Sequence, residues 1–367
     1  MLTIIHILPP VIEFPPIKYG GTERVAYELL KAQIEQYKKL QIMLNEENIV
    51  FKVFAKINKS SIQIINKKPL NFPIALEFFD LSKARSYYDY IVRVINVIKM
   101  IKKSQESKNK LIIHNHMLQR NSFVLLHLSS LGRNTITTLH YDPPFYKFFN
   151  LITSINFKGN LVAISKNQFQ RLKPFLGSAL YTFVHNGIPI EEFPFCGKKD
   201  DYFISINAIT PAKGVHNAII LSKKAKTKLF LVGPIRDYNY FEMLRKYFDD
   251  KEVIYLGEID EETKRKLLCR AKALLFPVER EEYFGLNMIE ATASGTPVLA
   301  YSRGAVPEIV SHGVTGFFGS SIEELARYIK QLDSLKPETI RYYAKKFSNN
   351  SMALKYTALY KTKLRTM

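Results

Sequence analysis

Glu282 and Glu290 lie in the window Phe276–Gly316, FPVEREEYFGLNMIEATASGTPVLAYSRGAVPEIVSHGVTG, with seven residues between them. The apolar run Ala273–Phe276 just ahead reads as a buried strand. Gly285 then relaxes the backbone, and Leu286–Ala293 has the periodicity of a helix. Glu282 is therefore expected in the loop before a helix N-terminus, with Glu290 inside the helix. Free N–H groups at such a helix start attract anions. Carboxylates beside them accept hydrogen bonds from hydroxyl groups. A place for phosphate next to a place for a polyol suits a nucleotide sugar.

Other chemistry-bearing residues fall at strand-to-helix turns. Tyr19-Gly20-Gly21-Thr22-Glu23-Arg24 follows the first apolar run, and paired glycines let backbone approach a ligand closely while Thr22 caps the next helix. A plain turn would look similar. His116 and His140 end two apolar segments, where a histidine points beyond the carboxyl edge of a parallel sheet and can hold a sugar hydroxyl. The plain alternative is a buried polar residue satisfied by backbone. His114 and His116 form a His-x-His pair without acidic or cysteine company, so no metal is expected. Lys213, in Thr210-Pro211-Ala212-Lys213-Gly214-Val215, sits where it can neutralise a diphosphate at a helix start. A surface lysine in a loop is the alternative.

These residues need a scaffold. At 367 residues the chain exceeds one ordinary core, so two domains are expected. Its 47% hydrophobic content is that of a globular protein. Cys196 and Cys269 are the only cysteines, which predicts no disulfide framework and a reducing, cytoplasmic setting. No apolar run approaches the roughly 18 residues of a membrane span, and Leu2–Leu8 reads as a first buried strand rather than a leader. The net charge is +20. Residues 1–200 carry 27 basic and 14 acidic side chains, and residues 201–367 carry 26 and 19. The excess concentrates at Lys52–Lys68 and Lys99–Lys110, a pattern suited to anionic lipid, acidic glycan or nucleic acid, or simply to a solvated basic face. No base-reading motif accompanies it, so no specific nucleic acid is expected.

Apolar strands alternate with amphipathic helices along both halves, predicting an α/β fold of two doubly wound parallel sheets facing across a cleft. Strands are expected at Leu2–Leu8, Val50–Ala55, Leu111–His114, Thr135–His140, Leu161–Ile164 and Tyr181–Val184, then Tyr202–Asn207, Lys228–Val232, Val253–Leu256 and Ala273–Phe276. Helices are expected at Thr22–Tyr37, Ala84–Lys102, Ser122–Leu131, Gly214–Lys224, Tyr238–Phe248, Glu261–Ala271 and Ser351–Lys363. His185-Asn186-Gly187-Ile188-Pro189 reads as linker. The expected division is 1–190 and 200–347, with a final helix at about 348–367 returning to the first domain.

With these motifs in order, the whole chain resembles the retaining glycosyltransferases of family 4 (glycosyl transferases group 1, GT-B fold), in a subgroup with YGGTERV near the start. The matching pieces are YGGTERV at 19–25, HNH at 114–116, TTLH at 137–140, VAISK at 162–166 and HNGI at 185–188. They continue with PAKGV at 211–215, YLGEI at 255–259, EEYFGLNMIEA at 281–291, GTPV at 295–298 and GAVPEIV…GVTGF at 304–317. Between about Lys56 and Lys110 nothing matches. The resemblance implies that Glu290 holds the ribose and Glu282 the donor sugar, with the Phe284, Gly285 and Leu286 backbone supporting sugar and phosphate. It further implies Lys213 on the diphosphate, Gly20 and Gly21 on its other side, His140 near the reacting centre, and Gly257 to Ile259 near the base. Glu282 and His140 would be catalytic. No metal or other cofactor would be needed.

One position departs from that pattern: Asn207 and Ala208 stand where the family has Gly-Arg. The missing guanidinium implies either another cation, with Arg24 and Lys166 as candidates, or weak donor binding. A sugar-nucleotide epimerase of the same fold and a non-catalytic nucleotide-sugar-binding protein are the rival readings. A hydrolase using both glutamates is disfavoured by their placement on a loop and a helix. The acceptor, a glycan or lipid, is expected to be anionic and to place the protein at a membrane periphery.

Overall fold

In the computed structural model, residues 1–9, 13, 16, 21–56, 75–80, 84, 87–104, 110–116, 134–143, 161–249 and 251–365 are described. The expected helix Ser122–Leu131, together with Tyr19, Gly20 and most of Lys52–Lys68, lies outside the described residues. The chain divides into two compact units, Met1–Gly187 with Asn349–Met367, and Ile188–Ser348.

Among the described residues the first unit holds seven parallel strands: β1 (Leu2–Ile7), β2 (Ile49–Ala55), β3 (Ala75–Asp80), β4 (Lys110–Asn115), β5 (Thr135–Leu139), β6 (Leu161–Ala163) and β7 (Leu180–Phe183). Their order is β3-β2-β1-β4-β5-β6-β7. Every residue of β1 and β5 is buried, the pattern of strands covered on both faces. β3 was not expected, because ALEFFD carries acids at Glu77 and Asp80. Edge pairing with β2 accommodates Glu77, whose Oε2 accepts from Lys52 Nζ at 2.6 Å. The helix Asn349–Arg365 packs on the helices Gly21–Glu35 and Tyr37–Leu44. Asn349 Nδ2 donates to Glu28 Oε2 at 3.0 Å within this contact. Thr22 lies inside the first of those helices rather than capping it.

The second unit holds six parallel strands: β8 (Tyr202–Ile206), β9 (Lys228–Val232), β10 (Val253–Tyr255), β11 (Ala273–Phe276), β12 (Val298–Tyr301) and β13 (Gly316–Gly319). Their order is β10-β9-β8-β11-β12-β13. Phe203, Leu229, Leu231, Leu275 and Leu299 build its core under the helices Val215–Ala225 and Ile322–Ile329. Each sheet runs outward in both directions from its first strand, which creates a switch point where neighbouring crossovers leave in opposite senses. Ligands collect beyond the carboxyl ends of strands there. In the first unit that point lies between β1 and β4, and in the second between β8 and β11.

The cysteines correct the sequence reading. Cys196 and Cys269 are joined as a disulfide with their Cα atoms 5.4 Å apart. They lie 73 residues apart, and spacing alone could not show that the segment after Pro194 runs beside the helix Glu261–Arg270. No described helix is long and apolar enough to cross a membrane.

Candidate functional site

In the second unit, the turns after β8 and β11 bring Lys213 and Glu282 together at the switch point. Lys213 ends the short helical turn Pro211–Lys213 that precedes the helix Val215–Ala225. Its Nζ donates to Glu282 Oε2 at 2.7 Å. Burial pulls the Lys213 ammonium below the usual lysine range; Glu282 opposes that shift and Arg280 adds to it. Glu282 is itself buried. Its backbone is clamped from the far side, where Ala305 N donates to Glu282 O at 2.9 Å. Gly304 makes this approach possible, since a Cβ there would meet Glu282 O at 2.2 Å. Asn287 Nδ2 donates to Ile206 O at 2.5 Å and ties the next helix to the end of β8.

Gly285, at φ 86°, opens the helix Leu286–Ala293, and Phe284 is buried edge-on against Phe347. Glu290, wholly buried in that helix, pairs with Lys264 Nζ at 3.1 Å. The sequence reading missed Lys264. It is the fourth residue of the helix Glu261–Arg270, where a lysine looks like an ordinary solvent-facing partner of Glu261, and it does donate to Glu261 Oε1 at 2.8 Å. Only tertiary packing shows that its ammonium also reaches a buried carboxylate. Gly257 adopts φ 69° after β10 and accepts from Gly233 N at 2.8 Å. Ile259 is half-buried beside it.

The position of the missing guanidinium has its own geometry. Asn207 is 2% exposed at the end of β8, and its Nδ2 has no hydrogen-bond partner among the described residues. The Arg280 guanidinium lies 4.0 Å from the Glu282 carboxylate. Lys213 and Arg280 thus share one carboxylate.

In the first unit, Gly20 lies outside the described residues and Gly21 is the exposed first residue of the helix Gly21–Glu35. His140 follows β5 and is 6% exposed. It belongs to a cluster with His6 of β1, His114 of β4 and His116 just past β4. Burial lowers all four, to about 4 for His6 and about 3 for His140. His114 is satisfied by side chains, with Nδ1 2.7 Å from Tyr360 Oη and Nε2 2.8 Å from Thr138 Oγ1.

Residues 191–347 match the family described as "Glycosyl transferases group 1". An uncharacterized 41.2 kDa protein in the cps region of Klebsiella pneumoniae is 29% identical over 160 residues, covering 41% of this chain and 43% of that protein. The O-antigen chain mannosyltransferase RfbU of Salmonella typhimurium is 25% identical over 236 residues, covering 59% of this chain and 65% of its own. The chain thus spans less than two thirds of either relative. The structure of Anabaena HepE in complex with UDP-glucose superposes with a TM-score of 0.67 at 16% identity, covering 100% of both chains. The fold is GT-B, two Rossmann-like units, and the match to the glycosyl transferases group 1 model spans most of the second.

Proposed function

We propose that the chain is a retaining glycosyltransferase that moves a hexose from a nucleoside-diphosphate sugar to a glycan or lipid-linked acceptor. The observation that carries this reading is a pair of lysine–glutamate contacts in one group 1 domain. Lys213 meets Glu282 just before a helix start, and Lys264 meets Glu290 within that helix. A diphosphate would displace Glu282 from Lys213 and free its carboxylate for a sugar hydroxyl. Glu290, 0% exposed and paired with Lys264, would have to turn out of that contact to hold the ribose, with Gly257 to Ile259 on the base and the Phe284–Leu286 backbone on the phosphate and sugar. Arg280 and the Asn207 amide nitrogen would supply what Ala208 lacks. With these donors and the helix N-terminus, charge is neutralised without a metal. Gly20, Gly21 and His140 of the first unit would contact phosphate and sugar. The bond from the anomeric carbon to the diphosphate oxygen breaks, and the acceptor oxygen bonds that carbon on the same face. The hydroxyl proton passes to the departing phosphate.

The UDP-glucose bound to HepE supports a nucleoside-diphosphate hexose as donor, and the mannosyltransferase relative supports a glycan acceptor. Thermal shift against a panel of nucleotide sugars would name the donor. Glu290→Ala is expected to abolish transfer and that shift together; transfer at the wild-type rate would refute the assignment. Donor conversion without an acceptor would instead identify an epimerase, and binding without turnover a binding protein.

The basic excess of residues 1–200 motivates a protein that works at an anionic membrane face. Binding to vesicles containing acidic phospholipid is expected to weaken steeply as salt rises. Equal binding to neutral vesicles would remove the membrane from the proposal.

A further inference from the structure

His6, His116 and His140 form a line of rings whose partners at each step differ from those of His114. His6 Nε2 lies 3.0 Å from Gln33 Oε1. His6 Nδ1 lies 3.4 Å from His116 Nε2, and His116 Nδ1 lies 3.3 Å from His140 Nε2. The ring planes are inclined by only 15° and 30°, with centroids 5.6 and 5.5 Å apart. These separations exceed the nitrogen separations by about one ring width, so the nitrogens face each other edge to edge. Such contacts need one N–H and one lone pair at each step.

The neutral charge state and one amide decide which way the line runs. Burial holds His6 near 4 and His140 near 3, and keeps His116 well below the ordinary histidine range, so all three are neutral at pH 7. A neutral imidazole carries one proton, so the tautomer of one ring dictates that of the next. Gln33 Oε1 only accepts, which places the His6 proton on Nε2 and leaves Nδ1 bare. His116 must then donate from Nε2 and accept at Nδ1, and His140 must donate from Nε2. The other end of the same amide meets a hydroxyl able to accept, with Gln33 Nε2 3.2 Å from Tyr360 Oη. Tyr360 then donates to His114 Nδ1, His114 Nε2 to Thr138 Oγ1, and Thr138 to Tyr356 Oη, 2.7 Å away. Each contact along both branches then pairs one donor with one acceptor.

We propose that Gln33, His6 and His116 act as positioning residues that lock His140 in the Nε2–H tautomer and leave its Nδ1 as a hydrogen-bond acceptor. On the reading of His140 as a sugar contact, this makes it an acceptor for a hydroxyl proton and not a donor to a sugar oxygen. The same cluster invites a metal reading, because nitrogens of His6, His114 and His116 lie within 4.8 Å of one another. The geometry opposes it. Both His114 nitrogens face hydroxyl oxygens, and its ring stacks on His116 with centroids 4.1 Å apart, so three lone pairs do not converge.

The test is the imidazole nitrogen NMR spectrum of the full chain labelled at histidine, recorded without substrate. His140 is expected to show a protonated Nε2 and a bare Nδ1, and Gln33→Met to turn this into a mixture of tautomers while His185 and His312 stay unchanged. A His140 protonated at Nδ1, a spectrum indifferent to Gln33→Met, or stoichiometric zinc shifting His6 and His116 would each overturn the proposal. Should Gln33→Met fail to fold, the wild-type tautomer decides alone. Because no turnover is read, failure of the transferase reading leaves this result standing, and the reverse also holds.

Discussion

Replacing Lys264 by methionine is expected to destabilise the second unit by about 3–5 kcal/mol, the cost of leaving one charge of a buried pair without its partner. Glu290 is 0% exposed and Lys264 only 7%, so water cannot replace the ammonium at the carboxylate. The effect should exceed that of an exposed ion pair such as Lys266 with Glu262, where solvent screens both charges. Urea unfolding of the single variant and of Lys264→Met/Glu290→Leu separates the contributions. The double variant should regain most of the lost stability, because apolar side chains of similar volume fill the site without a buried charge. It should not regain nucleotide binding. A single variant within 1 kcal/mol of wild type would mean that the pair is not a buried ion pair in solution.

Acidification from pH 6.5 towards 4 is expected to destabilise the first unit selectively. His6 and His140 have folded values of about 4 and 3 against an ordinary 6.5, so the unfolded chain takes up protons first. Stability is complete above 6.5 and falls as pH drops through that window, His6 alone accounting for roughly 3 kcal/mol by pH 4. His114 and His116 are lowered in the same direction, and their contact with the other rings makes the total less than additive. The immediate partners of these rings are Gln33, Thr138 and Tyr360, none of which offers a carboxylate to stabilise an imidazolium. Hydrogen exchange at pH 7 and 4.5 would locate the loss. Equal protection of β1 and β4 at both values would contradict the burial argument.

How much of this was legible in the sequence depends on the range of the interactions. Ala273–Phe276 and Leu286–Ala293 were readable to the residue, because apolar runs and helical periodicity are local. So were the turns carrying Lys213 and Glu282, since strand-to-helix alternation places them at the carboxyl edge of a sheet. β3 was not, because an edge strand tolerates the acids that disguised it. Lys264 and Arg280 were missed for a different reason: a charged residue on a helix or loop looks solvated until the fold shows what it faces. The cysteines misled outright. Two thiols 73 residues apart look like free side chains, and proximity across two elements joined them. The histidines were visible as a His-x-His pair, yet Gln33 and Tyr360, which set their hydrogen bonding, come from opposite ends of the chain.

That last arrangement bears on the order in which the molecule is made. Tyr356 and Tyr360 emerge from the ribosome after the whole of Ile188–Ser348, yet they complete the polar interior begun by His6 and Gln33. Vectorial synthesis therefore allows the middle unit to close first as an uninterrupted segment. The sheet that starts with Leu2 waits, its histidines and Thr138 short of two tyrosine hydroxyls, until the final helix has been translated. Of the two units, the first to appear is the last to be finished.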